Sequence, residues 1–393
     1  MSSQALATAG AGENQSQARP RTNTPTRTAT RTPTAMITPT NTPGPNCGLA
    51  WRNVSSPGPA TALYGIGIVS ANDIWAVGIN YTTSLAKMLI EHWNGTQWSI
   101  VPGPNVGTDV AYLFKVSAVS ANDIWAIGTR NSRTLALHWN GAAWSIVATP
   151  NPGTNENYLQ GLKAVSANNV WAVGYFRSGA PYQPLAIHWD GTSWSIVATP
   201  NPGTSSNVLT SVDAISANDI WAVGYAIAEG ASRAQTLTMH WNGSSWSEVQ
   251  SGFFNQLNSV SAVSSNDVWA VGSVGLYQIT VHWNGSSWSE VPTPDVANDS
   301  IYLNEVDAIS SNDVWAVGYY QSLEVGDNVT LILHWNGTQW SVVPSQPTGT
   351  SPNFLYAVAA VSATNVWATG YNYNGPLILH YSDPCAPSAE GER

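Results

Sequence analysis

The chain has 393 residues, of which 9% are charged and 20 are tryptophan, and its formal net charge is −10. The first 46 residues carry +3, so the remainder carries −13, and an acidic body of that size repels phosphate backbones; no nucleic-acid partner is expected. No run of 18 or more apolar residues occurs, so no transmembrane segment is expected.

The stretch from Ala18 to Asn46 is built almost entirely of Thr, Pro, Arg and Asn. It cannot bury enough apolar surface to offset its ordering entropy, and its prolines keep it extended. Residues 1–46 therefore read as a disordered linker, a stalk of the kind that holds extracellular bacterial domains away from a wall or membrane. The opening "MSSQALATAG" has neither a basic start nor the apolar stretch of roughly 7 to 15 residues of an export signal. Either the true N-terminus lies elsewhere or export takes another route. Residues 386–393 read as a second, short disordered tail.

Trp51 follows, in "NCGLAWRNVSSP", ahead of any complete repeat. The repeat itself is then unmistakable. Variants of "SANDIWAVG" place a Trp at 75, 125, 171, 221, 269, 315 and 367, at spacings of 46 to 52 residues. A second phrase, "HWNGTQW" and its relatives, starts at His92, His138, His188, His240, His282 and His334, and decays to "HYSDP" at His380. Each full copy closes on Trp98, Trp144, Trp194, Trp246, Trp288 or Trp340; the seventh closing Trp is missing from the C-terminus, and Trp51 remains to supply it.

Each copy predicts four short strands, illustrated by "YLQGLKAVS", "NVWAVGYF", "PLAIHW" and "SWSIVATP" of the third. "SANDIW" supplies the first turn, Asn-Gly or Asp-Gly between the two Trp of the second phrase predicts a tight hairpin with both central residues at positive φ, and proline-rich "ATPNPGT" leads to the next copy. Runs apolar on both faces, such as "IWAVG", need cover on both sides, which a sheet of this size cannot give itself. Seven sheets stacked radially cover every face. The expected fold is an all-β, seven-bladed β-propeller of four-stranded antiparallel blades over residues 47–385, its ring closed by strand 51–54 completing the last blade. Cys47 and Cys385 both overshoot the missing hairpin, so a disulfide between them is expected; two separate buried thiols are the alternative.

The period, the Gly ending the second strand and the aromatic shortly before a Trp resemble kelch-type repeats, and the chain is also similar to Trp-rich propeller repeats of bacterial cell surfaces. The match departs from the usual kelch Gly pair, since Ile79, Thr129, Tyr175, Tyr225, Ser273, Tyr319 or Tyr371 follows the single Gly. Galactose-oxidase-like copper sites need His and Cys beyond the repeat set, and sialidase-like boxes and the common hydrolase, protease and phosphate motifs have no counterpart here. No catalytic residue, metal or cofactor is expected. All seven His occupy one repeat position, which points to a structural partner such as Asp73, Asp123, Asp219, Asp267 or Asp313, with Asn169 and Asn365 in the other two blades.

Function is therefore sought where the copies differ. Two turn sets are short and nearly invariant; the opposite face carries variable second-to-third and inter-blade loops. There Tyr175, Phe176, Arg177, Tyr182, Tyr319, Tyr320, Tyr371 and Tyr373, with Tyr112, Tyr158 and Tyr302 in the inter-blade loops, combine flat aromatic faces with hydroxyls suited to sugar rings or protein ligands. A Tyr after the repeat Gly also reads simply as the end of its strand. On the innermost strand, the frame "LxxVxAVS" varies at two positions to give Lys115, Lys163, Asp213, Glu305 and Asp307, expected to line the central channel or its mouth, either as wet lining or as a ligand site. The reading is an extracellular or surface-tethered, monomeric binding propeller for a glycan or protein ligand. A polysaccharide-active enzyme using Asp213, Glu305 and Asp307, and a structural spacer, are the alternatives.

Overall fold

The computed structural model describes residues 47–58, 61–81, 85–274, 277–296, 300–322, 326–345 and 353–385. The expected linker 1–46 and tail 386–393 lie outside them. Among the described residues there are 28 strands and no helix, arranged as seven four-stranded sheets. Within blade 3 the order is Glu156–Ser166, Asn169–Arg177, Gln183–Trp189 and Trp194–Val197, all antiparallel, and blades 1 to 6 follow the same plan. Inner strands pack successively around the ring, and Asn353–Ser362 of blade 7 returns against Thr61–Ser70 of blade 1.

Blade 7 takes its outer strand from the other end of the chain. Ala50–Asn53 pairs with Gly375–Ser382 in the register Ala50↔Ser382, Trp51↔Tyr381, Arg52↔His380, Asn53↔Leu379. Trp51 is fully buried there. The Cys47–Cys385 disulfide forms as expected, joining residues 338 apart. Beside it, Asp383 accepts the backbone N–H of Gly48 and Arg52 donates to the Gly48 and Ser382 carbonyls.

The second strand explains the interior. Asp73–Asn80 and Asp123–Arg130 are buried along six consecutive positions, so both sheet faces are covered. Every blade interface is then built from the same three aromatics. Trp75 meets Trp139 at 5.0 Å and Trp144 edge-on at 5.5 Å, Trp367 meets Trp93 and Trp98 likewise, and at closure Trp315 meets Tyr381 at 4.9 Å and Trp51 edge-on at 5.6 Å.

The turns differ in one respect from expectation. In the Trp93–Trp98 hairpin only Gly95 has positive φ; Asn94 instead accepts bonds from the Thr96 and Gln97 N–H groups through its side chain, and the equivalent Asn or Asp does so in blades 2 to 6. The Asn acts as a cap for a four-residue turn. Among the described residues, both central residues of a turn take positive φ only at Asn131 and Ser132, between the second and third strands of blade 2.

Blade 1 contains one chemical exception. The position before the repeat His is Leu137, Ile187, Met239, Val281, Leu333 or Leu379 in six blades and Glu91 in the first, where it is 0% exposed. Its carboxylate is met by the Ser56 hydroxyl at 2.7 and 3.0 Å, on the segment linking the closing strand to blade 1. Burial pushes its pKa up to about 7, against the opposing Ser56 and Gly58 bonds.

Two outcomes follow from the closure. Replacing both cysteines by serine removes a cross-link that the chain-entropy model values at roughly 5–6 kcal/mol, so the melting temperature should fall by several degrees or more; an unchanged transition in a thermal melt would sink the clasp. Because the folded Glu91 carboxyl titrates near 7 rather than 4.5, the native state holds its proton more tightly and wild-type stability falls as pH rises between those values. Glu91→Gln, which keeps the shape without the charge, should melt above wild type at pH 8 and level with it at pH 4.5.

Candidate functional site

The short first-to-second and third-to-fourth turns share one face, and the longer connections share the other. On that variable face Tyr175, Tyr319 and Tyr371, each following the repeat Gly, stand directly opposite Tyr158, Tyr302 and Phe354 in register. Tyr112, Tyr158 and Tyr302 are thus not in inter-blade loops, as the sequence suggested, but in the first turns of the inner strands Ala111–Ser120, Glu156–Ser166 and Ile301–Ser310. The next residue along alternates to the opposite side of the sheet. Phe176 and Tyr320 accordingly pack against the inter-blade cores and leave the candidate surface. Tyr373, on a turn, is 71% exposed.

The remaining aromatics form a continuous arc. Ring centroids run Tyr302 to Tyr319 (4.8 Å), to Phe354 (4.7 Å), to Tyr356 (6.1 Å), to Tyr64 (5.1 Å), to Phe114 (6.0 Å) and to Tyr112 (6.4 Å), crossing blades 6, 7, 1 and 2. Tyr371 branches from Phe354 at 6.2 Å. Blade 3 holds a second group: Tyr158 stacks on Tyr175, Tyr182 meets Tyr175 edge-on, and the Arg177 guanidinium lies 4.8 Å over Tyr182 while pairing with Glu156. Burial raises the Tyr175 and Tyr319 hydroxyl pKa values, keeping both phenols neutral hydrogen-bonding groups.

Tyr64, Phe114 and Tyr356 belong to a set that the repeat frame hides. In every blade the inner strand bulges immediately after its Leu, so the pairing steps from Leu63 to Gly65, Leu113 to Lys115, and equivalently around the ring. The skipped residues are Tyr64, Phe114, Gln160, Thr210, Asn258, Asn304 and Tyr356, and all seven line one mouth cavity of about 430 Å³ at the channel entrance. The repeat Gly is the counterpart of the bulge. A Cβ on Gly78 would overlap the Ala62 carbonyl, and the same holds at Gly128, Gly174, Gly224, Gly272, Gly318 and Gly370. That invariant Gly, opposite an invariant Leu after which the residue varies, was the available signal.

Lys115, Lys163, Asp213, Glu305 and Asp307 line a cavity of about 280 Å³ in the channel. The Lys115–Glu305 pair, at 2.5 Å, joins the inner strands of blades 2 and 6, and Lys115 lines the mouth as well, so this pair floors it. Lys163 pairs with Asp213 at 2.6 Å, and that contact raises its pKa. The acids also accept backbone N–H groups of the following blade: Asp213 from Ala262 and Asp307 from Ala360, both at 2.7 Å, as Ser117 and Ser261 do from Ala164 and Ala308. Burial raises the Glu305 pKa, and burial with the nearby Asp213 charge raises that of Asp307 to about 6.

The seven His have the structural partner expected of them. Each Nε2 lies 2.8–2.9 Å from the turn Asp or Asn of its own blade, with the ring against the blade's Trp. Where that partner is Asn, desolvation lowers the imidazole pKa, to about 4 at His380. A neutral imidazole donating from Nε2 to an amide oxygen satisfies both groups.

The Asp307 carboxyl titrates near 6 when folded and near 3.8 in its ordinary state, so its charged form weakens the fold as pH rises across that interval. Asp307→Asn keeps the acceptor for Ala360 and should exceed wild-type stability above pH 6, with the gain vanishing below pH 4. Asp307→Ala, which orphans that N–H, should lose about 1–3 kcal/mol relative to Asp307→Asn in urea unfolding at every pH.

No protein-family model matches the chain, and no curated protein matches it in sequence. Solved structures do match its fold. The structure described as YCF48 bound to D1 peptide is similar with a TM-score of 0.57 at 15% identity, covering 84% of this chain and 96% of that one. YCF48 from Cyanidioschyzon merolae gives 0.56 at 15% identity over 85% and 99%. A GH74 xyloglucanase from Xanthomonas campestris gives 0.55 at 12% identity, covering 84% of this chain and 53% of the enzyme. At these identities the likeness establishes the β-propeller fold.

Proposed function

We propose that the protein is a non-catalytic recognition module that binds a ligand on its variable face, a glycan ahead of a protein. The observation that carries this is the aromatic arc crossing blades 6, 7, 1 and 2, because partly exposed Tyr and Phe in mutual contact form rigid platforms at low conformational cost. A protein ligand is the second reading, favoured by the peptide bound to the YCF48 propeller. The polysaccharide-enzyme reading is weaker because its three acids are engaged below the mouth, by lysines or by backbone N–H groups. The clasp disulfide supports an oxidising, extracellular setting for a monomeric, kelch-like propeller.

The test is a glycan array and a displayed-peptide library probed with wild type, with Tyr158→Ala/Tyr319→Ala on the variable face, and with Gln97→Ala/Gln339→Ala on the opposite face. Wild type and the opposite-face variant should share one set of binders, and the tyrosine variant should lose it. Equal binding by all three would move the site elsewhere.

A further inference from the structure

The seven bulged residues at the mouth stand apart from the recurring frame of the repeat. Trp, His, Gly and the Leu before the bulge recur in every blade, whereas the bulge position changes class, and it changes in two contiguous arcs. Blades 7, 1 and 2 contribute Tyr356, Tyr64 and Phe114, in ring contact with one another. Blades 3 to 6 contribute Gln160, Thr210, Asn258 and Asn304. A bulge withdraws a residue from the ladder and re-aims its side chain, so both arcs face a common space.

The polar arc is held rigid. Thr210 donates to the Leu257 carbonyl, Asn258 Nδ2 to Leu303 and Asn304 Nδ2 to Leu355, each at 2.7 Å. Each Asn keeps its Oδ1 and a second N–H for a ligand, and among the described residues no side-chain hydrogen bond occupies Gln160. Beneath lies the Lys115–Glu305 pair. A charged peptide terminus would meet a floor whose cation is already matched, whereas a neutral ring needs no counter-charge. At about 430 Å³ the mouth falls within the roughly 300–1,000 Å³ of small-ligand clefts.

We propose that this mouth is a binding site for the terminal, uncharged hexose of a glycan, entering end-on with its C–H face on Tyr64, Phe114 and Tyr356 and its hydroxyls on Gln160, Asn258 and Asn304. The proposal rests on the recognition reading above and adds to it the site, the ligand class and the end-on mode. A floored cavity accepts a chain end and excludes a chain interior, so the free terminal monosaccharide competes for the same site.

The experiment uses the glycan selected on the array with wild-type protein, titrated calorimetrically against wild type, Phe114→Ala, Gln160→Ala and the opposite-face control Gln339→Ala, each checked for an unchanged thermal melt. Phe114→Ala and Gln160→Ala should each weaken binding at least tenfold, the control should stay within twofold, and the terminal monosaccharide should displace the glycan. Gln160 makes no side-chain bond among the described residues, so its variant tests the site even if Phe114→Ala is destabilised. A glycan bound equally well by both mouth variants, or not displaced by its terminal sugar, overturns the site while leaving glycan recognition standing. Wild type binding peptides and no glycan overturns the ligand class. Wild type binding nothing on either array overturns the recognition reading itself.

Discussion

The contact on which the ring depends is the aromatic triad at each blade interface, a central Trp faced by one aromatic and struck edge-on by a closing Trp. An edge-to-face pair adds about 0.5–1.5 kcal/mol beyond the area it buries, and here it recurs at seven interfaces. The closing indoles Trp51, Trp98, Trp144, Trp194, Trp246, Trp288 and Trp340 have buried N–H groups with no hydrogen-bond partner. A triad needs residues from two blades, so an open ring would strand one. Trp51 meets this demand from the far end of the chain, with Tyr381 standing where the other blades have the Trp after the repeat His.

Because the triads, the His–Asp or His–Asn bonds and the bulge-facing Gly are fixed in every blade, variation is confined to what they do not use. Those positions include the bulge residue, the channel-lining positions just below it, the strand ends beside it and the connections above. The same constraint that makes the scaffold repetitive places the chemically diverse residues at one end of the channel, as expected for loops and strand ends borne on a rigid frame.

The fold was largely legible in the sequence because each element of it is countable: the Trp period, the half-repeat at Trp51 and the two flanking cysteines. The site was less so. Alternation along a strand predicts facing only while the pairing is regular, and a bulge breaks the alternation without a sequence mark of its own. The frame "LxxVxAVS" therefore yielded Lys115 and Asp307 yet passed over Phe114 and Asn304. Tyr320 and Phe176 erred in the opposite sense, since adjacency to Tyr319 and Tyr175 suggested a shared surface when consecutive strand residues point apart. Glu91 was readable only by lining up the seven copies, where one acid stands against six aliphatic residues.

The inner strands are hydrogen-bonded to a single neighbour in their own blade, so their channel-side backbone groups need partners from side chains. The polar residues there supply them across the seams: Thr210, Asn258 and Asn304 donate at the mouth, and Ser117, Asp213, Ser261 and Asp307 accept one level below. Where blades 7, 1 and 2 meet, Ala359 and Gly67 have no side-chain acceptor to offer, and Tyr356, Tyr64 and Phe114 meet in tilted ring contacts instead. The arc proposed to receive the ligand is thus the arc that gave up its stitches. It also adjoins blade 7, within which the two ends of the chain pair and are joined by the disulfide, and the Ser56–Glu91 contact that leads into blade 1. Covalent closure compensates for side chains released from structural duty at the mouth, an exchange of local stability for a binding surface that functional sites commonly show.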